Sequence, residues 1–153
     1  MMDKEVLDFL NKADVLDDIS THLMWLILVI GYIGHIGISK VLIITPNTLA
    51  VPILLAIGVI GSYHILIKEH KILKYIKSFD ISFILEIVFY SALKSLDFVL
   101  FLTLVYIIAF KMIPLSAEFN IVTNALLICI VSYYLIHEQL KEHKKSLYTK
   151  YKV

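Results

Sequence analysis

The chain has 153 residues, 59% of them hydrophobic and 18% charged, with a net charge of +1. A soluble domain averages roughly half apolar and a quarter charged, so the composition points to one integral membrane domain, too short for a second, with no global field to draw nucleic acid. A single cysteine, Cys129, excludes an intrachain disulfide and a thiolate metal site, and lysine without arginine leaves no bidentate fork for phosphate.

At the N-terminus, Val6, Phe9, Leu10, Ala13 and Leu16 recur at helical spacing and predict an amphipathic helix over residues 3–19. Its polar face carries Glu5, Asp8, Asp14, Asp17 and Asp18. Anionic lipid would repel that face, so docking on a basic protein surface is expected. The opening MMDKEVLDFL lacks the basic region and cleavage site of a signal peptide, so the first span is expected to stay in the mature chain.

Four apolar blocks follow, at 22–44, 49–67, 81–113 and 119–136. The first two contain uncharged runs near the roughly 20 residues that cross a bilayer as a helix. A turn, Thr45-Pro46-Asn47-Thr48, separates them, and Pro52 falls in a first helical turn, where a missing N–H is tolerated. The expected fold class is therefore an all-α membrane protein. It comprises an acidic amphipathic N-terminal helix (1–21), a four-transmembrane-helix bundle (22–137) and a basic, helical C-terminal tail (138–153). The N-terminal segment, the loop after the second span and the tail hold 2, 4 and 5 lysines, against Lys40 and Lys111 on the other side. That asymmetry predicts a cell-membrane protein with both termini in the cytoplasm.

The third block is too long for one crossing: about 33 residues make roughly 50 Å of helix against a hydrocarbon core of about 30 Å. It must project, tilt or break. It also carries Glu86, Tyr90, Lys94 and Asp97, which fall within about 80° of one another on a helix. An ion pair between Lys94 and Asp97, three residues apart, would moderate its own desolvation, and the stripe should face protein or water rather than lipid. Glu86 has no local cation on that face except Lys94, which places it near water or makes it protonated. A structural stripe is the favoured reading; the alternative is the lining of a proton or ion path.

His22, His64 and His137 match in depth at the cytoplasmic edge and form the one candidate metal set, with ordinary interfacial histidines as the simpler alternative. His35 and His64 lie at different depths, which argues against paired haem ligands, and no cofactor is expected. All five glycines, Gly31, Gly34, Gly37, Gly58 and Gly61, lie in the first two spans and predict a helix-packing seam, with a ligand crevice beside it as the sharper option. The chain has no catalytic signature; after His137-Glu138 the next histidine, His143, comes too late for a zinc-protease helix. The order of spans, with a short basic loop after the second, resembles the phosphate-starvation-inducible family of small four-span proteins, a resemblance with no motif that carries a role. The expected function is thus a non-enzymatic structural or accessory subunit of a membrane complex, with a small oligomeric proton or ion channel as the alternative. Its partners would be the lipid bilayer, further copies of the chain or other membrane subunits, and not nucleic acid.

Overall fold

The computed structural model describes residues 4–12, 15–37, 50–69, 72–110 and 119–151. The Thr45–Thr48 turn, Lys40, Lys111 and the far ends of the first and third blocks lie outside the described residues. Among those described, the chain is all helical: α1 (Lys4–Leu10), α2 (Val15–Ile36), α3 (Ala50–Tyr63), α4 (Ile81–Phe110) and α5 (Phe119–Tyr151). A π-helical turn, His64–Glu69, and two 3₁₀ turns, Ile72–Lys74 and Ile76–Ser78, connect α3 to α4.

The helix expected over 3–19 is two helices. Lys12 N–H donates to the Phe9 carbonyl at 3.3 Å and Val15 N–H to the Lys12 carbonyl at 3.4 Å, closing a turn between α1 and α2. The break lets Val6, Phe9 and Leu10 face Val15, Leu16 and Ile19 in one core, which a single straight stripe could not do. The third block, in contrast, is one unbroken helix of 30 residues. The fourth block and the tail likewise form one helix of 33 residues.

Contacts between helices fix their directions. Thr21 meets Lys94 and Trp25 meets Phe98, so α2 and α4 run parallel. His22 meets Ser62 and Trp25 meets Gly58, so α3 runs back along α2. Phe83–Tyr151, Phe89–His143 and Phe101–Tyr133 show α5 antiparallel to α4. The order is up-down-up-down, but the main contacts join α3 to α2, α2 to α4 and α4 to α5. Among the described residues the helices thus form an open row, α3–α2–α4–α5, in which Trp25 of α2 meets Gly58 of α3 on one side and Phe98 of α4, edge to face, on the other.

The two ends of the row differ in chemistry. At one end α1, the start of α2, the 3₁₀ connector, the first half of α4 and the end of α5 form a cap. Its core holds Phe9, Leu10, Leu16, Ile72, Phe83, Ile87, Tyr90, Leu147 and Tyr151, all buried. Phe9 stacks on Tyr75 with ring centroids 4.2 Å apart. At the other end large apolar side chains stay exposed: Ile30, Ile57, Ile60, Leu102, Tyr106, Leu127 and Ile128.

Two described helices are long and apolar enough to cross a membrane, Val15–His35 and Ile81–Ala109, not four. The second block has only the shorter apolar stretch Pro52–Tyr63, because its helix passes into the π turn at His64. The fourth block continues without interruption into the charged tail, so its helix is apolar over its first half alone. Only 11% of the most apolar window of Ile81–Ala109 is buried, the reverse of what the core helix of a water-soluble domain shows.

Candidate functional site

Where cap meets apolar end, a layer of polar side chains crosses all four long helices. Lys94 is its centre. The ammonium donates to Thr21 Oγ1 at 2.7 Å, Ser20 Oγ at 3.1 Å and Asp17 Oδ1 at 3.3 Å, which uses its three donors. It also sits 5.7 Å from the centroid of the buried Tyr90 ring. Asp17 Oδ2 accepts from Lys144 on α5 at 2.9 Å. One carboxylate on α2 thus ties α4 and α5 together.

The Lys94–Asp97 pair expected from their spacing is not formed. Asp97 turns to the other neighbour of α4 and accepts from His137 Nδ1 on α5 at 3.1 Å. The reason is angular. Side chains three residues apart diverge by about 60° on a helix, and here each of the two directions holds a better-placed partner on a different helix. Glu86 gains a cation that local spacing could not supply, since Lys150 of α5 donates to its Oε1, with Ser82 Oγ 3.4 Å away. The bond to Glu86 also raises the Lys150 ammonium above its ordinary range. Glu86, Tyr90, Lys94 and Asp97 therefore do share the inward face of α4, but the three charged ones answer to different partners, Lys150, Asp17 and His137, while Tyr90 lies against the Lys94 ammonium.

The acidic face of the N-terminal segment meets lysines too. Glu5 pairs with Lys74 at 2.7 Å; their hydrogen bond and charge attraction lower the Glu5 carboxyl and raise the Lys74 ammonium.

The histidines of the metal reading separate. His22 Nδ1 lies 2.8 Å from Ser62 Oγ, and the Ser62 hydroxyl donates its only proton to the Gly58 carbonyl at 2.6 Å. Nδ1 of His22 must then carry the ring proton and donate to Ser62. His137 is held by Asp97 and His64 is exposed. Among the described residues no three His, Cys, Asp or Glu side chains come together as a metal-holding group.

The glycine seam reduces to one close contact. A Cβ on Gly58 would sit 2.6 Å from Trp25 Cδ2, so α3 approaches α2 only because residue 58 has no side chain. A Cβ on Gly31, Gly34 or Gly61 would meet nothing within 4 Å. Gly37 works differently: its φ of +82° and its N–H to the Ile33 carbonyl at 2.9 Å end α2 as a left-handed cap. Beside the Trp25–Gly58 contact, where the open row leaves α3 and α4 apart, lies an apolar crevice of about 520 Å³. Trp25, Leu28, Gly31, Leu55, Phe98 and Leu102 are among the side chains that line it. Its one small polar neighbour, Ser95, spends its hydroxyl on the Ala92 carbonyl at 2.8 Å.

No protein-family model, curated protein or solved structure matches this chain.

Proposed function

We propose that the chain is a small structural or accessory membrane protein. In this reading its four long helices cross the cell membrane through their apolar ends, and the cap and both termini lie in the cytoplasm. The split between a buried core in the cap and exposed apolar side chains beyond it supports that placement, since lipid covers a helix face as well as protein does. The eleven-to-two division of lysines between the cap side and the opposite side supports the orientation.

The observation that carries the structural role is the saturation of Lys94. Its three donors are used inside the protein, and beyond Asp97 the described part of α4 has no charged side chain; Thr103 bonds back to its own Val99 carbonyl. A proton or ion path needs polar groups in series across the membrane. This arrangement is instead a clamp at one level, with three helices fastened by one aspartate, Asp17, and two lysines, Lys94 and Lys144.

The test is reconstitution into proteoliposomes loaded with a pH-sensitive dye under an imposed potential. A structural protein produces no proton or cation flux above protein-free vesicles. Flux that Glu86→Gln or Asp97→Asn alters would overturn the structural reading in favour of a conduit.

A further inference from the structure

The crevice between α3 and α4 is walled by three helices. α2 gives its floor, with Trp25 and Gly31, while Leu54 of α3 and Leu96 and Leu102 of α4 stand half-exposed along its mouth. Residue 31 contributes to the space by lacking a side chain, since a Cβ there would meet nothing within 4 Å. At about 520 Å³ and lined almost wholly by apolar and aromatic side chains, the crevice has the size and surface of a small-molecule site.

Depth and lining decide what it takes. On α2 the crevice starts at Trp25, one turn past Thr21, and on α4 at Ser95, next to Lys94, so it begins where the polar layer ends. From there it runs to Tyr32 and Leu102, about 10 Å of helix at 1.5 Å per residue. Ser95 spends its hydroxyl on the Ala92 carbonyl, and Trp25 and Tyr32 bring one polar atom each at opposite ends. Water needs several polar partners at one point, so it is a poor fit. A helix of a second copy is too large. At about 10–12 Å across, it displaces roughly 800–1,100 Å³ over that length, against about 520 Å³ here. A hydrocarbon chain is narrow enough, since its carbons pack at about 4 Å, and it supplies the dispersion contacts that the lining would otherwise forfeit.

We infer that the crevice binds an acyl chain of a membrane lipid, laid along α2 between α3 and α4 with its glycerol end toward the polar layer. Lys94, beside that end, has its three donors in use inside the protein, so the site takes the chain without selecting a headgroup. The inference rests on the membrane placement proposed above, which sets this level inside the hydrocarbon.

Trp25 is the single tryptophan and lies in the lining, so its emission reports what fills the crevice. The full chain is reconstituted into phosphatidylcholine vesicles whose acyl chains carry bromine, a contact quencher, in the half nearest the glycerol. The expected result is loss of most Trp25 emission relative to the same vesicles without bromine. Gly31→Leu, whose side chain leans toward Trp25 and fills the floor, should restore most of that emission. Gly31→Ala, a smaller filling that helix propensity favours, should restore an intermediate share. Gly34→Leu, at an open position outside the lining, should restore none. Equal quenching in the wild type and both Gly31 variants would mean that bulk lipid reaches the indole without a site, and would overturn the proposal. So would wild-type emission that bromine leaves unchanged while the chain floats with the vesicles, the result expected if water or a second copy covers Trp25. A chain that does not float with the vesicles overturns the membrane placement and the inference with it.

Discussion

Asp17 and Lys94 test the polar layer most directly, because removing one partner does not equal removing the other. Asp17→Asn takes away the carboxylate that Lys94 and Lys144 share. Lys144, 44% exposed, turns to water, but the Lys94 side chain is 22% exposed and keeps only two hydroxyls. Stranding a fully buried charge costs about 3–5 kcal/mol; screening at this partial exposure brings the cost to about 1.5–3 kcal/mol. Lys94→Met keeps the apolar stem and leaves Asp17 with Lys144, so its cost is nearer 1 kcal/mol. The double variant strands no charge and should lose about 1–2 kcal/mol in total, a coupling of about 1–2 kcal/mol between the sites. Lys94→Met combined with Asp97→Asn should be additive to within about 0.5 kcal/mol, since Asp97 belongs to His137. Thermal unfolding in mild detergent, followed by circular dichroism and by the fluorescence of the single tryptophan, Trp25, measures both cycles. A coupling of Lys94 to Asp97 larger than its coupling to Asp17 would refute the reasoning and restore the local pair.

The remaining predictions use the same unfolding assay. Gly58→Ala should destabilise by about 1–3 kcal/mol and shift Trp25 emission, because its Cβ would stand 2.6 Å from the indole. Gly34→Ala, with open space around it, should be neutral or stabilising by up to about 1 kcal/mol through helix propensity. Leu147→Ala removes a side chain that is 2% exposed from the cap core and should cost about 2–5 kcal/mol. A free, solvated tail would show no change. The Glu5–Lys74 pair predicts a pH dependence at both extremes. Glu5 titrates below its ordinary 4.5 in the folded chain, so its contribution is complete above 4.5 and lost as pH falls through the folded value. Lys74 titrates above its ordinary 10.5, so its contribution is complete below 10.5 and lost as pH rises through the folded value. Stability curves of the wild type and Glu5→Gln should converge in acid; curves that stay parallel down to full protonation would show that the pair contributes nothing.

Composition and block length alone determined that the chain is helical and that its third block exceeds one crossing, because hydrophobic run length and periodicity are local properties. They also placed Glu86, Tyr90, Lys94 and Asp97 on one face of α4, since angular position on a helix follows from sequence spacing. Which side chain answers each charge was a matter of tertiary structure. Asp17 lies 77 residues from Lys94, Lys150 lies 64 from Glu86 and His137 lies 40 from Asp97, so no helical spacing could reveal these pairs. Glycine spacing marked Gly31, Gly34 and Gly58 alike, yet only Gly58 meets an indole, because a small residue matters where a neighbouring helix comes close and not where it stands apart. The turn at Asn11–Lys12 and the open row have the same origin. Each depends on which apolar surfaces find one another across the fold, and amphipathic periodicity gives the direction of a face without naming what packs against it.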